Sequence, residues 1–258
     1  MQPESDPIPA IAMALLVTLN MLFLALLAMK VVGTLSMIDT RPRMLHIRVE
    51  GNIGVGKSTL VHKLAARLEA SNQRVQVKLE AVDDWTSIIT DCGKNVLHSV
   101  YDNPKRYAFE AQVLMQFTQQ SQALDASGSA GWIIAERSYR SSKIFQRLQL
   151  RRGTLEQYQY DILQRFLPAP TPSDELTVYL RAEPATCKRR MDARGRPEEA
   201  QVELDYLTEL HTMHDEEFMS SAHLVVDCEG HDACDSWCDQ ILRTVSERAA
   251  MVANKHVD

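Results

Sequence analysis

From Met44 onward, short apolar runs alternate with stretches in which apolar residues recur every three or four positions. The first pattern reads as buried strands and the second as amphipathic helices, and their alternation marks βαβ units around a parallel sheet. Strands are predicted at Leu45–Val49, Val75–Leu79, Trp132–Ala135, Thr177–Leu180 and Leu224–Val226. Helices are predicted over Ser58–Ala70, Pro104–Ala123, Leu155–Phe166, Pro184–Arg194, Leu204–Met219 and Asp235–Ala250. Residues 127–131 read as a flexible turn before the third strand. Pro168, Pro170 and Pro172 read as a stiff connection before the fourth. The predicted fold class is α/β, a five-stranded parallel sheet flanked by helices.

The pattern changes near residue 43, which divides an N-terminal extension, 1–43, from a main domain, 44–258. Ile8–Met29 is 22 residues long and carries no charge. That length can span a bilayer core as a helix. The residues before it, Glu4 and Asp6, are acidic, unlike a signal peptide's basic start, and the segment lacks the arginines of a mitochondrial presequence. Lys30, Arg41 and Arg43 follow the run, which places the main domain on the cytoplasmic side if the run crosses a membrane. Two readings stand: a membrane anchor over residues 8–29, or a dispensable extension.

Composition narrows the partners. With 45% hydrophobic residues the chain can bury a core, and its net charge of −6 argues against a nucleic-acid-binding surface. The five cysteines are an odd, scattered set, which fits a reducing compartment. Cys228, His231, Cys234 and Cys238 lie close together, but without a paired C-x-x-C they read as core residues. His211 and His214, three apart, read as helix-face residues.

One segment carries specific chemistry. Gly51-Asn52-Ile53-Gly54-Val55-Gly56-Lys57-Ser58 matches G-x-x-x-x-G-K-[ST] and lies between a predicted strand and a predicted helix. Glycines there let backbone N–H groups turn toward phosphate oxygens, and the helix N-terminus adds positive potential. Lys57 is placed to bridge the β- and γ-phosphates of a nucleotide, and Ser58 to ligate Mg²⁺. Thr59 continues the same helix start.

A carboxylate, Glu80, closes the second strand, at the sheet edge where α/β proteins bind ligands. It could accept a proton from an attacking hydroxyl, with Trp85 as an aromatic wall nearby. Glu136-Arg137 closes the third strand; the arginine suits a transferring phosphoryl group and the glutamate a Mg²⁺ ion. Arg190, Arg194 and Arg196 precede or flank Gly195 and Pro197, a plausible hinge for a closing lid of phosphate-gripping arginines. No N-K-x-D base-reading motif is present, which disfavours a GTPase.

These segments, in this order, resemble the deoxynucleoside kinases, the family that includes deoxycytidine kinase, mitochondrial thymidine kinase and the insect multisubstrate kinase. The resemblance covers Met44 to Met219. It rests on Glu50–Ser58, Leu79-Glu80 with Trp85, Tyr101–Phe109 running into Gln112, Glu136-Arg137-Ser138, Tyr179–Pro184 running into Arg194–Glu199, and Tyr206–His211. It implies a P-loop kinase fold with an arginine-rich lid, ATP and Mg²⁺ as cofactors, and a homodimer. The expected reaction moves the ATP γ-phosphate onto a deoxynucleoside 5′-hydroxyl.

By the same resemblance Glu80 is the base and Arg137 sits close to it and to the 5′-oxygen. Gln112 pairs with the nucleobase, Tyr101 and Glu209 hold the 3′-hydroxyl, and Trp85 and Phe109 line the base pocket. Arg190, Arg194 and Arg196 clamp the phosphates. Departures touch specificity. Ala81 stands where the family carries Pro, and the chain after Ser138 is one residue shorter. Ser142 stands where deoxycytidine kinase-like members carry Asp and thymidine kinase-like members Ala. Met115 and Gln119 also differ from relatives in the pocket. A neutral Ser142 leans the expectation toward pyrimidines, thymidine and deoxycytidine. A thymidylate kinase-type nucleoside monophosphate kinase, or a non-catalytic structural subunit, is the alternative.

Overall fold

A computed structural model describes residues 45–124, 131–166, 175–230 and 234–254. The apolar run 8–29, the turn from Ser127, the three prolines and His231 lie outside these residues. Among the described residues no helix is long and apolar enough to cross a membrane. Residues Arg43–Asp258 form one compact unit.

Five strands form the sheet: β1 (Leu45–Gly51), β2 (Val75–Lys78), β3 (Trp132–Glu136), β4 (Glu175–Arg181) and β5 (Leu224–Asp227). Their order is β2-β3-β1-β4-β5 and every pairing is parallel. Parallel strands need helical crossovers, and the chain supplies them. They are α1 (Lys57–Ala70), α2 (Val82–Ser87), α3 (Val96–Asp102), α4 (Pro104–Leu124), α5 (Tyr139–Arg151), α6 (Gln157–Arg165), α7 (Pro184–Arg194), α8 (Leu204–Phe218) and α9 (Cys234–Asn254). A 3₁₀ turn at Pro197–Glu199 joins α7 to α8.

The central strands are apolar because helices cover both of their faces. Ile47, Val49, Ile134, Val178 and Leu180 are all buried, and Leu60, Val61, Leu64 and Leu68 of α1 pack into the same cluster. Burial of each such side chain stabilises the fold by roughly 1.5–3 kcal/mol. Cys228, Cys234 and Cys238 belong to this core. His214 turns inward as well. It is fully buried, 6.4 Å from the Tyr179 ring, so it is a core residue rather than part of an open helix face.

Register places the functional strand ends together. Val49 is opposite Glu136, Gly51 opposite Leu180, and Lys78 opposite Ala135. Gly51, Glu80 and Arg137 therefore emerge at one edge of the sheet, the carboxyl edge that binds ligands in open α/β folds.

Candidate active site

The phosphate loop runs from the end of β1 to the first turn of α1. Gly51 has φ +143°, and a Cβ there would lie 2.5 Å from the Leu180 carbonyl oxygen. Gly54 has φ +76°, and its Cβ would meet the Cys187 carbonyl. Both positions therefore need glycine. Asn52 fixes the loop from inside. Its Nδ2 donates to Leu207 O at 2.8 Å, and its Oδ1 accepts from the Ile53 amide at 2.8 Å. Val55 is buried, whereas Ser58 and Thr59 are exposed at the start of α1.

Lys57 is buried, with Nζ folded back on Asn52 O at 2.9 Å and Gly51 O at 3.4 Å. Burial first, and then the charge of Arg137, bring its ammonium down to about 8. A cation held by carbonyls alone is poised to exchange them for phosphate oxygens.

Glu80 and Arg137 meet beside this loop. Arg137 Nε donates to Glu80 Oε1 at 2.5 Å and Nη1 donates to Gly51 O at 2.9 Å. Burial alone would raise the Glu80 carboxyl, but Arg137 and Lys57 outweigh it and hold it below the usual range. Glu80 is thus an ionised carboxylate. The turn after it closes without proline: the Val82 amide donates to Glu80 O at 2.8 Å.

Arg137 has φ +56°, a strained conformation for a non-glycine residue, costing about 1–3 kcal/mol. The strain is held by Arg137 N donating to Val49 O at 2.9 Å and by Arg48 Nη1 donating to Arg137 O at 3.1 Å. It aims the guanidinium into the site, over the Phe145 ring at 4.8 Å. The fully buried Glu50 supports it from behind, accepting from the Ser141 hydroxyl that Arg137 Nη1 also approaches at 3.5 Å. The support that Glu50 and Ser141 together give Arg137 was not legible from sequence.

Glu136 is buried beside this pair, and its Oε1 has no hydrogen-bond partner. An orphaned carboxylate oxygen and an exposed hydroxyl at Ser58 are oxygen donors of the kind that suit a hard divalent cation.

The cavity these groups face extends to α4. At the far end Trp85 Nε1 donates to Thr118 Oγ1 at 3.0 Å, and Ser142 Oγ donates to Gln119 Oε1 at 2.8 Å. Gln112 is buried there, and its Nε2 has only the Met115 sulfur at 3.9 Å. Along the middle lie Tyr101, Tyr206 and Glu199. Burial first, and then Tyr206 and Glu199, push the Tyr101 phenol far above its ordinary value, so it remains a hydroxyl donor.

Two expected site residues lie elsewhere. Phe109 packs against a second small core containing Val96, Val100 and Leu163, outside the cavity lining. Glu209 is not part of the cavity lining: it accepts from Arg152 at 2.7 Å in a neighbouring hollow that Tyr101 and Tyr206 also line. The carboxylate that does line the cavity is Glu199. Its signal was present in the run Arg194–Glu199, where a carboxylate follows Arg196 by three residues.

The three arginines are engaged with the protein. Arg190 donates to Val55 O at 3.0 Å and to Cys228 O at 2.6 Å, bracing the phosphate loop. Arg194 and Arg196 both bind Glu199.

A complete phosphate loop at the carboxyl edge of a 2-3-1-4-5 parallel sheet defines a P-loop kinase fold. Residues 47–248 match the deoxynucleoside kinase family. The chain belongs to that family, whose named relatives are phosphotransferases. A probable deoxycytidine kinase of fowlpox virus is 31% identical over 186 residues, covering 70% of this chain and 73% of its own. The thymidine kinase of Ictalurid herpesvirus 1 is 30% identical, over 80% of this chain and 88% of its own. Human mitochondrial thymidine kinase 2 is 29% identical, over 72% and 71%. The structure of deoxyadenosine kinase from M. mycoides with products dCMP and dCDP superimposes with a TM-score of 0.66 at 21% identity, over 79% of this chain and all of that one. It shares the fold.

Proposed function

We propose that this protein transfers the γ-phosphate of ATP to the 5′-hydroxyl of a deoxynucleoside, preferring pyrimidines. The observation that carries the reading is the ionised Glu80 held by Arg137 inside a cavity that opens on the phosphate loop. Glu80 accepts the proton of the 5′-hydroxyl and Arg137 holds the 5′-oxygen in line. Lys57, the loop amides and Arg190, Arg194 and Arg196 receive the phosphates, the last two on a segment that closes as a lid. Ser58 and Glu136 would hold Mg²⁺, which supplies charge neutralisation at the phosphates. Tyr101 and Glu199 take the 3′-hydroxyl, since both line the cavity, whereas Glu209 lines the neighbouring hollow.

Gln112 offers one amide donor and one acceptor, a match for thymine or for cytosine. The neutral Gln119–Ser142 pair leaves both acceptable, and relatives are named for both thymidine and deoxycytidine. ADP formation with each of the four deoxynucleosides and their monophosphates tests the reading. Thymidine and deoxycytidine are expected to give the highest kcat/KM, within roughly 1–3 kcal/mol of one another, with purines poorer. Deoxyguanosine or deoxyadenosine as best substrate would refute the preference; activity on monophosphates alone would refute the acceptor.

The proposed assembly is a homodimer through α4 and α6. Val113 and Phe117 on α4 and Tyr158, Ile162 and Phe166 on or beside α6 are all exposed. The Gln120 amide donates to Phe166 O, binding the two into one apolar face. A face of this kind suits a self-complementary two-fold contact. Phe117→Asp should convert a dimer into a monomer in sedimentation equilibrium. A variant of unchanged mass, or a monomeric wild type, would exclude this interface.

A further inference from the structure

Glu199 ends the 3₁₀ turn between α7 and α8 and is only 7% exposed. Its Oε1 accepts from Arg196 Nη1 at 2.7 Å, and its Oε2 accepts from Arg194 Nη2. Those arginines are far more open, at 30% and 39% of their side-chain surface. Glu199 and Arg196 also line the cavity that holds Tyr101, Glu80 and Arg137. The turn is tied to the wall of that cavity: Asn95 Nδ2 donates to Glu198 Oε1 at 2.9 Å, while Asn95 Oδ1 caps α3, whose last turn carries Tyr101. One buried carboxylate therefore touches the proposed nucleoside space and holds two of the cations proposed to grip ATP.

We propose that Glu199 is a coupling residue that makes the phosphate grip of Arg194 and Arg196 conditional on an occupied nucleoside cavity. The inference rests on the nucleoside and ATP assignments made above. Its logic is electrostatic. Turning toward phosphates draws Arg194 and Arg196 away from Glu199, to which each is bound through one guanidinium nitrogen. In an empty cavity that departure strands a buried carboxylate without a partner, which is strongly unfavourable. A sugar 3′-hydroxyl donating to Glu199, beside the Tyr101 hydroxyl, replaces the lost hydrogen bonds. Nucleoside thereby lowers the cost of releasing the arginines, and by reciprocity ATP tightens nucleoside by the same factor. Without nucleoside the arginines stay on Glu199, and the γ-phosphate lacks the charge that would help its transfer to water.

The test is calorimetric binding of the non-hydrolysable β,γ-imido analogue of ATP with Mg²⁺. It is measured alone, with saturating thymidine (or whichever of the four deoxynucleosides is the best substrate), and with the 3′-deoxy form of that nucleoside. The wild-type protein should bind the analogue about 5–150-fold more tightly with the nucleoside. The 3′-deoxy compound should give less than about a twofold effect, because it has no hydroxyl to offer Glu199. In Glu199→Gln the analogue should bind without nucleoside nearly as tightly as with it, and nucleoside-independent ADP release should rise. Equal tightening by the nucleoside and its 3′-deoxy form would overturn the proposal, as would wild-type coupling in Glu199→Gln. The ligand comparison needs only the wild-type chain, so a poorly folding variant does not decide the matter. Normal binding of both substrates with no coupling defeats the coupling alone. Failure to bind any deoxynucleoside defeats the nucleoside assignment and the coupling with it.

Discussion

Lys57→Ala is expected to yield a folded protein whose kcat/KM is lower by on the order of a thousandfold, the upper end for removing one charge-stabilising group from a transition state. The fold should survive because Lys57, although buried, lies outside the apolar core cluster. Its ammonium is buried and rests on two carbonyl oxygens, Asn52 O and Gly51 O. Its pKa falls from 10.5 to about 8 on burial, so the charged form is disfavoured in the folded state. That penalty is present at pH below about 8 and fades as pH rises toward 10.5, so its removal should leave the melting temperature at neutral pH no lower than wild type. The same value fixes a pH signature. As pH rises through about 8 the empty site loses the proton that phosphate needs. ATP affinity should then weaken by up to about tenfold per pH unit, whereas Lys57→Arg should not show this loss. Near-normal turnover in Lys57→Ala would remove the phosphate loop from the reaction.

The strands and the loop were legible because their signals are local. Val178-Tyr179-Leu180 is a continuous apolar run, Ile47 and Val49 alternate with His46 and Arg48 as period-two strand residues do, and the glycine spacing of 51–56 is itself a steric requirement. Helices α2 and α3 were not predicted, since six and seven residues are too few to show a 3.6-residue period. Helix α5 was missed for a different reason. Its inward face includes Gln146 and Gln149 beside Ile144 and Leu148, and Gln146 is satisfied by Gln116 at 3.2 Å and by Gln164 at 2.7 Å. Buried amides with partners look polar in sequence and behave as core. The same limit separates Glu199 from Glu209. Both are carboxylates near the expected sugar, and only the path of the 3₁₀ turn and the rotation of α8 decide which faces the cavity. Glu50 and Ser141, 91 residues apart, become one support for Arg137 only after the sheet is assembled.

Glu80→Gln keeps the side chain's size and one acceptor oxygen for Arg137 while removing the basic oxygen. Loss of a general base typically lowers kcat by about a hundred- to ten-thousandfold. Phosphoryl transfer has a loose transition state in which positioning outweighs early proton removal, so the effect should fall toward about a hundredfold. The carboxyl's own electrostatics point the same way: held down by Arg137 and Lys57 despite burial, it is a weak base. Nucleoside KM should change less than kcat, because the cavity wall is intact. Stability should fall modestly, by about 1–3 kcal/mol, as Arg137 exchanges a charged acceptor for a neutral one yet keeps Gly51 O at 2.9 Å. The sign of the pH dependence follows from the lowered carboxyl. Its ion pair stabilises the fold above the ordinary glutamate range and is lost only as pH falls through the depressed value. In wild type the acid limb assigned to Glu80 in the kcat profile should therefore lie below pH 4.5, and any limb seen near neutrality belongs to another group. Steady-state kinetics of the variant from pH 5 to 9 would decide. A wild-type kcat across that range would exclude Glu80 from the chemistry, and a loss confined to KM would make it a binding residue only.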